Sequence, residues 1–243
     1  TGDFVRGAEP LPKNLNMLSE MVLKTKADIG LAVDPDADRL AVVSNEGMPI
    51  GEEYTLALAA DGYIKHKQSE ETFVINLSTS MVLEKIANQN NCKVIRTPVG
   101  EINVVEKMIE INAELGGEGN GGVILKESHF GRDSIVGCAM VLNRLSQTNE
   151  SLHDIYVNLP QYTIVKDKIE ISKNALVDLI NHSKRIFDDV DVNIEDGIKF
   201  TWKNKWIHLR KSNTEPIVRI YAEAKDQETA QDLIDKVKSF MSE

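Results

Sequence analysis

The sequence has 243 residues, 42% of them hydrophobic, and a formal net charge of −10. A chain of this length and hydrophobicity can bury ordinary cores in one to three domains, so we expect a globular protein. The acidic balance argues against nucleic acid or anionic membranes as partners, since both attract clustered Lys and Arg, and no apolar run approaches the roughly 18–20 residues that cross a bilayer.

The cysteines and the first residue suggest a compartment and an incomplete chain. Cys92 and Cys138 lie in no paired or metal-binding spacing, which is typical of a reducing cytoplasm. We therefore expect a cytoplasmic protein in which both are core residues. The sequence begins with Thr1 rather than Met, and we expect it to be a piece of a longer chain.

The first 48 residues combine one helix with two strands. Apolar side chains recur at helical spacing over residues 15–22, and residues 27–33 and 40–43 have the composition of short buried strands. Between the strands lies an acidic segment, residues 34–39. We place a domain boundary after residue 48, where the composition becomes that of a turn.

From residue 49 to residue 158, helices and strands alternate, which predicts a mostly parallel sheet built from βα units. We expect helix, strand, helix, strand and helix at residues 52–67, 73–76, 81–90, 93–96 and 134–146. Asp133 is the expected N-cap of the last helix. The apolar side of that helix should carry Ile135, Cys138, Ala139, Val141 and Leu142.

Residues 159–243 follow a different order. We expect a strand, a helix, three short strands, a longer strand and a closing helix at residues 162–171, 174–187, 190–194, 198–202, 206–210, 217–224 and from 227 onward. This order predicts an α+β domain with an antiparallel sheet, in which Trp202 and Trp206 are packing residues. Surface or structural roles are expected for His66, His153, His182 and His208.

The acidic segment reads DPDADR and places Asp34, Asp36 and Asp38 at alternate positions. Carboxylates held about 4 Å apart repel one another by roughly 4 kcal/mol per pair at an effective dielectric constant of 20. A divalent cation removes that repulsion, and an all-oxygen ligand set favours Mg²⁺ over Zn²⁺. A calcium hand is excluded, because Arg39 stands where it needs Gly and Asn45 where it needs Glu. A solvated acidic turn is the alternative.

Two further segments have compositions that suit a phosphorylated sugar. The glycine-rich segment, residues 116–122, places Glu118 and Asn120 among glycines that let a backbone approach a ligand closely. A flexible connection is the alternative. The arginine segment, residues 210–216, offers a phosphate dianion two guanidinium groups, counting Arg219, together with hydroxyls and turn amides. A polar hairpin turn is the alternative there.

In this order, the three segments resemble loops of the α-D-phosphohexomutase family, whose forms are DxDxDR, GExSG and RxSGTEP. They stand here as DPDADR, GEGNGG and RKSNTEP. The resemblance implies an α/β fold, with a mixed-sheet α/β domain followed by an α+β C-terminal domain that has an antiparallel sheet. Residues 1–48 would be the C-terminal part of domain 2, residues 49–158 domain 3 and residues 159–243 domain 4 of a four-domain enzyme.

The resemblance also implies an activity, the transfer of phosphate between the 1- and 6-positions of a hexose or hexosamine phosphate. Mg²⁺ is the implied cofactor, and a hexose 1,6-bisphosphate is the implied intermediate and activator. The family's phosphoserine lies in a TASHNP-type loop of domain 1, which has no counterpart in this sequence. The chain alone should therefore bind a small sugar phosphate without turning it over.

By resemblance, site roles pass to individual positions. Asp34, Asp36 and Asp38 would hold Mg²⁺, and Arg39 would contact the transferring phosphate. The implied sugar contacts are Thr97, Gly100, Glu101, Glu118, Asn120 and Arg132. The implied contacts of the non-reacting phosphate are Arg210, Ser212, Asn213, Thr214 and Arg219. For Arg132 and the nearby His129, a solvated helix entry is an equally good explanation.

Departures from the family pattern leave the sugar and the general base open. Many members have His where this chain has Gly122, and a general-base role for that His has no counterpart here. Glu101, Asn120 and Asn213 also replace commoner residues. The NGG and SNTEP variants are typical of a subgroup that includes phosphoglucosamine mutases and broad-range hexose mutases, so a phosphoglucosamine mutase is one alternative.

Two rival functions remain at the level of the sequence. A haloacid-dehalogenase-type phosphatase would use Asp34 as a nucleophile, but it needs Thr or Val at the position of Asp38. A sugar-phosphate-binding fragment without catalytic activity is the other.

Overall fold

The computed structural model describes residues 5–170, 173–212 and 215–239. The chain divides into two compact units, Thr1–Pro160 and Gln161–Glu243, called here the first and the second unit. Asn213 and Thr214, to which the resemblance assigns phosphate contacts, lie outside the described residues, as does residue 171 at the end of an expected strand.

The first unit alternates helices with strands, as its sequence predicts. Its helices are α1 (Asn16–Thr25), α2 (Glu53–Lys67), α3 (Val82–Gln89), α4 (Glu101–Ile111), α5 (Ser134–Ser146) and α6 (Leu152–Asn158). Its strands are β1 (Ile29–Val33), β2 (Leu40–Ser44), β3 (Thr72–Asn76), β4 (Lys93–Thr97), β5 (Leu115–Glu118) and β6 (Gly122–Leu125).

These strands form two sheets. Strands β1 and β2 make an antiparallel hairpin whose turn is the acidic segment. The larger sheet has the order β4-β3-β5-β6, in which β3 runs parallel to β4 and β5 while β6 runs antiparallel to β5. A small core supports the hairpin and contains Leu15, which precedes α1, Val22 of α1, and Ala41 and Val43 of β2. The acidic segment is therefore held between two paired strands, of which β2 is buried throughout and β1 is buried at alternate positions.

Helix α4 and the strand pair β5–β6 are absent from the sequence-based expectations. Ile102, Val104 and Val105 are β-branched and lower the helix propensity of α4. Burial of Val104 and Met108 against the sheet stabilises the helix nonetheless. The glycine-rich segment was expected as a loop, yet its ends belong to β5 and β6. A Cβ on Gly116 would lie 2.8 Å from the Val74 carbonyl oxygen, so only glycine lets β5 pack this closely.

The predicted apolar side of α5 is largely wrong. Ile135 is 75% exposed and Leu142 is 45% exposed, and Cys138 is only half-buried. Of the five expected residues, Val141 is buried, and the helix turns inward a face that also carries Gly137, Met140 and Arg144. Arg144 reaches this face because its Nε lies 2.5 Å from Asp61 Oδ2 of α2, which pairs its charge away from water.

The second unit is an α+β domain with an antiparallel sheet, as predicted. Its strands are β7 (Thr163–Glu170), β8 (Asp191–Asn193), β9 (Ile198–Trp202), β10 (Lys205–Lys211) and β11 (Ile217–Ala224), in the sheet order β7-β11-β10-β9-β8. Its helices are α7 (Lys173–Ile186) and α8 (Gln227–Ser239). Alternate residues of β10 and β11, such as Leu209 and Ile220, pack with Leu233 of α8 in one core.

Other packing expectations can be compared with the structure. Cys92 and Trp206 are buried, and Trp202 packs edge-on against Phe187 with ring centroids 5.2 Å apart. Cys138 departs from its expected core position because it lies at the margin of the buried face of α5. Among the described residues, no helix has the length and apolar character needed to span a bilayer.

Candidate functional site

The acidic segment is shaped by its first carboxylate. Asp34 is buried directly after β1, and its Oδ1 accepts hydrogen bonds from the backbone N–H groups of Asp38, at 3.2 Å, and Arg39, at 3.1 Å. Ala37 takes a left-handed conformation with φ of 58°, which tightens the turn. The carboxylate therefore holds the segment that carries the other acidic residues.

The three carboxylates converge. One oxygen each from Asp34, Asp36 and Asp38 lies within 4.8 Å of the others. Asp38 Oδ1 is buried and has no hydrogen-bond partner among the described residues. Arg39 Nε lies 3.4 Å from Asp34 Oδ2 and offsets part of the negative charge. An oxygen-only cluster with one unsatisfied buried oxygen suits a hard divalent cation.

The glycine-rich segment turns between β5 and β6 and presents Glu118 at the end of β5. Its Oε1 accepts hydrogen bonds from Asn76 Nδ2 at 2.7 Å and from Gly100 N at 3.2 Å. Asn120 completes the turn, since its Oδ1 accepts from Gly122 N at 3.2 Å. These contacts hold the carboxylate and the amide predicted to bind sugar hydroxyls at one end of the sheet.

The two segments are joined through the backbone. Leu40 N, at the start of β2, donates to Gly121 O at 3.0 Å. Gly121 has φ of 91°, and a Cβ there would lie 2.4 Å from Leu40 O. From the other side, the Ser134 hydroxyl at the start of α5 donates to Ala37 O at 2.7 Å. The acidic and glycine-rich segments therefore lie side by side in the first unit.

Arg132 joins the same segments through its side chain. Its NH2 group contacts Asp38 Oδ2, and its NH1 group lies 2.5 Å from Glu118 Oε2. Its backbone N–H donates to Glu101 Oε1 at 2.7 Å. A solvated helix entry does not describe this side chain, which is only 12% exposed and surrounded by carboxylates.

The remaining sugar-contact candidates lie around α4. Gly100 has φ of 132° and precedes α4, whose first residue is Glu101. Thr97, at the end of β4, is buried, and its hydroxyl donates to backbone oxygens, at 3.1 Å to Pro98 O. Thr97 thus faces the backbone in this structure, whereas Glu101 faces Arg132.

His129 lies next to this site and acts on the cap of α5. Its Nε2 is 3.0 Å from Asp133 Oδ2, and this hydrogen bond lowers the pKa of the Asp133 carboxyl. Asp133 Oδ1 accepts from the backbone N–H groups of Ile135 and Val136, which confirms the expected N-cap. The observed role of His129 is therefore structural.

In the second unit, the arginine segment continues β10. Arg210 lies opposite Arg219 of β11, and Arg219 lies opposite Lys168 of β7. Directly opposite residues of neighbouring strands point to the same face of a sheet, so these three cations form a row. Arg210 Nε is 3.0 Å from Asp196 Oδ2, and Ser212 Oγ accepts from Glu215 N at 3.3 Å.

A cavity of about 440 Å³ opens beside this row. Its lining is mostly charged and includes Lys166, Lys168 and Arg219 with Glu215. Arg219 Nε is buried and has no hydrogen-bond partner among the described residues. Sequence reasoning missed both lysines, because only the pairing of β7 with β11 brings them beside Arg219.

His208, also in β10, is a structural residue. Its Nε2 donates to Asp196 O at 2.6 Å, and burial lowers its pKa to about 4. The neutral imidazole therefore supports the loop that carries the partner of Arg210.

Comparisons with known families agree with this architecture. Residues 1–47, 51–162 and 165–239 match, in turn, the families described as "Phosphoglucomutase/phosphomannomutase, alpha/beta/alpha domain II", "alpha/beta/alpha domain III" and "C-terminal domain". The chain belongs to the phosphoglucomutase/phosphomannomutase family.

Individual relatives are longer than this chain. A phosphoglucomutase/phosphomannomutase of Thermococcus kodakarensis is 33% identical over 95% of the chain and 50% of the relative. A phosphoglucosamine/phosphogalactosamine mutase of Sulfurisphaera tokodaii is 32% identical over 97% of the chain and 53% of the relative. The chain spans about half the length of these curated relatives.

Solved structures share the fold. A phosphoglucomutase/phosphomannomutase family protein of Burkholderia thailandensis matches 94% of this chain and 50% of its own, with a TM-score of 0.79 and 24% identity. An Aspergillus fumigatus N-acetylphosphoglucosamine mutase, described in complex with GlcNAc-6P and magnesium, matches 86% of this chain and 47% of its own, with a TM-score of 0.60 and 15% identity. At these identities, the likeness concerns the fold.

Proposed function

We propose that this chain is the metal-, sugar- and phosphate-binding part of a phosphohexomutase that interconverts the 1- and 6-phosphates of a hexose or hexosamine. The observation that carries the proposal is the joining of two segments. The acidic segment carries three carboxylates within 4.8 Å of one another. Arg132 contacts both Asp38 of this segment and Glu118 of the glycine-rich segment. The hydrogen bond from Leu40 N to Gly121 O also joins the two segments. A cation site thus stands beside groups that can hold sugar hydroxyls.

The cation would be Mg²⁺, held by Asp34, Asp36 and Asp38. When bound, it would supply positive charge that neutralises the transferring phosphate. Arg39, from the same segment, would place a guanidinium on that phosphate as well. The fungal relative described with magnesium supports this choice by analogy of fold.

The other residues would bind and orient the sugar phosphate. Glu118 and Asn120 would hold sugar hydroxyls, with further contacts from Thr97, Gly100 and Glu101. Arg210, Ser212 and Arg219 of the second unit would hold the phosphate that is not reacting, with Asn213 and Thr214 completing that set. Binding of the non-reacting phosphate can provide binding energy that orients the opposite end of the sugar for phosphate transfer.

The reaction itself needs a phosphoserine, which would belong to a part of the whole protein outside residues 1–243. That phosphoserine would transfer its phosphate to the free hydroxyl of the bound sugar phosphate. The resulting bisphosphorylated sugar would then turn round in the site and return its other phosphate to the serine. We therefore expect this chain to bind hexose phosphates and the whole protein to isomerise them. Hydrolysis by Asp34 as a phosphatase nucleophile is disfavoured, because Asp38 stands where such a phosphatase needs Thr or Val.

Calorimetric titration of the chain tests whether it binds hexose phosphates. The ligands are glucosamine 6-phosphate, glucose 6-phosphate and mannose 6-phosphate, and each is compared with its unphosphorylated sugar. We expect binding that depends on the phosphate and a ranking among the sugars. That ranking matters because the relatives' names include both hexose and hexosamine mutases.

The whole protein should then be assayed with glucose 1,6-bisphosphate as activator. Isomerisation that needs Mg²⁺ is the expected result. Steady release of inorganic phosphate would favour the phosphatase, and binding without turnover by the whole protein would favour a non-catalytic binding protein.

A further inference from the structure

Arg132 occupies a central place in the first unit that its predicted role as a sugar contact does not explain. It lies between β6 and α5, and each terminal nitrogen of its guanidinium meets a different carboxylate. NH2 contacts Asp38 in the acidic segment, and NH1 contacts Glu118 in the glycine-rich segment. Its Nε lies 3.5 Å from Glu101 Oε2. The side chain thus ties three separate parts of the chain together.

The contact between Arg132 and Asp38 engages only one of the two carboxylate oxygens of Asp38. Oδ2 is held by Arg132, while Oδ1 is buried without a hydrogen-bond partner among the described residues. Oδ1 lies 3.7 Å from Arg39 Nε. A carboxylate held by one oxygen in this way presents the other oxygen in a fixed direction. Loss of a group that orients a metal ligand typically lowers metal affinity by about 10- to 100-fold.

Gly122 makes room for this arrangement. A Cβ on Gly122 would lie 2.2 Å from Arg132 Cδ and 2.9 Å from its Cγ. Those atoms belong to a flexible side chain, so a residue larger than glycine would displace the Arg132 side chain rather than the backbone. The present position of the Arg132 side chain therefore requires glycine at residue 122.

We propose that Arg132 is a positioning residue that orients Asp38 for the cation and anchors it to Glu118, and that Gly122 is required for this role. The identity of the cation rests on the proposed function. The guanidinium reaches both carboxylates because its nitrogens form a planar fork, which the single ammonium group of lysine cannot reproduce. Arg132 thereby links the cation site to the proposed sugar site without being a ligand of the cation.

The test is titration of the 243-residue chain with Mn²⁺, followed by the electron paramagnetic resonance signal of the free ion, with Mg²⁺ as competitor. Loss of an orienting partner lowers metal affinity by about 10- to 100-fold, and we expect that loss in Arg132→Ala. Removal of positive charge alone would strengthen cation binding. A weaker affinity therefore isolates the orienting role from the charge.

Three further variants make the test specific. Arg132→Lys should lose affinity nearly as Arg132→Ala does, although it keeps the charge. Gly122→Ala should also lose affinity, by displacing Arg132. The double variant Gly122→Ala with Arg132→Ala should bind Mn²⁺ no more weakly than Arg132→Ala alone, because both changes remove the same contact. Lys107→Ala, which breaks an exposed pair with Glu110, should change nothing.

Each outcome has a distinct meaning. Asp36→Asn is the reference, and Mn²⁺ affinity unchanged in that variant would refute the metal site itself and with it that part of the proposed function. Affinity weakened in Asp36→Asn but unchanged or raised in both Arg132 variants would overturn only the inference. Additive losses in the double variant would reject the pairing of Gly122 with Arg132. Thermal unfolding of every variant separates these results from a loss of fold, and Arg132→Lys and Gly122→Ala carry the test if Arg132→Ala does not fold.

Discussion

At the scale of single residues, the second unit places three cations in register across three strands. Arg210, Arg219 and Lys168 are successive partners on β10, β11 and β7. Arg210 is positioned by Asp196, whose Oδ2 lies 3.0 Å from its Nε. The guanidinium is thereby oriented by Asp196, which would lower the cost of a bidentate contact with a phosphate.

Arg210→Ala should weaken binding of glucose 6-phosphate far more than binding of glucose. A hydrogen bond to a charged group is worth about 1.5–3 kcal/mol, which corresponds to roughly 10- to 100-fold in affinity. Calorimetry with both ligands measures the difference, and Lys225→Ala, an exposed cation of the same unit, is the control. Equal losses for the two ligands would show that the phosphate does not engage Arg210.

Lys168→Ala should weaken phosphate binding by a smaller factor. The side chain is exposed, and an exposed charge pair contributes up to about 1 kcal/mol, or roughly fivefold. The effect should shrink as salt is added, because salt screens exposed charges. Titration at two ionic strengths checks this, with Lys236→Ala on α8 as the matched control. A loss that salt leaves unchanged would argue against a direct charge contact.

At the scale of elements, the joint between β2 and the glycine-rich turn depends on close backbone packing. Gly121 combines a positive φ with a position where a Cβ would meet Leu40 O at 2.4 Å. Gly51 has a similar φ of 93° but nothing within 4 Å of a Cβ. Comparing substitutions at the two glycines therefore separates the cost of a positive φ from the cost of a Cβ contact with Leu40 O.

Gly51→Ala should cost about 1–2 kcal/mol of unfolding free energy, since it forces alanine into a positive φ. Gly121→Ala should lower the unfolding free energy by about 1–3 kcal/mol more than Gly51→Ala does, because the backbone oxygen of Leu40 must also move. Urea unfolding followed by circular dichroism measures both values. Equal losses of unfolding free energy in the two variants would mean that the backbone around Leu40 and residue 121 accommodates the added Cβ without strain.

Strand β10 also contains a buried titratable group. The pKa of His208 is lowered by burial to about 4, whereas the usual value is about 6.5. In this range the unfolded chain binds more protons than the folded chain, so stability rises with pH. The contribution is complete above about pH 6.5 and is lost as the pH falls towards 4.

The unfolding free energy of the second unit should therefore fall by about 3 kcal/mol between pH 6.5 and pH 4 on account of His208. His208→Gln keeps a donor for Asp196 O but does not titrate, so most of this dependence should disappear. Denaturant unfolding at several pH values provides the measurement. An unchanged pH slope in the variant would place the dependence on other groups.

At the scale of the whole molecule, each unit has its own hydrophobic core. The second unit packs α7 and α8 on one face of its antiparallel sheet, with Phe200, Ile220 and Ile234 fully buried. In the first unit, Val74 and Met108 are fully buried between α4 and the sheet, and α2 is buried from Tyr54 to Ile64. Independent cores predict independent folding.

Polypeptides of residues 1–160 and 161–243, expressed separately, should each unfold cooperatively in urea. Their transitions should be sigmoidal by circular dichroism and coincide with those seen by tryptophan or tyrosine fluorescence. A polypeptide with a broad, non-cooperative transition would show that its core needs the other unit. The 243-residue chain is the control for both.

Local patterns predicted most elements because neighbouring residues carry the signal. Strands β9 and β11 match their predicted bounds, and the N-cap at Asp133 was found by its residue type and position. Helix α4 was missed because its β-branched residues favour a strand locally, while distant contacts stabilise the helix. The inward face of α5 was mispredicted because the buried pair of Arg144 and Asp61 turns a charged residue towards the core.

The chemical groups of the candidate site and their order along the chain could be read from residue types, because carboxylates, glycines and arginines are recognisable without knowledge of their neighbours. Which of these groups meet depends on the fold. Arg132 and Asp38 are 94 positions apart, and Lys168 faces Arg219 only through strand register. Such pairings depend on packing and on the hydrogen bonds of the sheets, which no local pattern encodes.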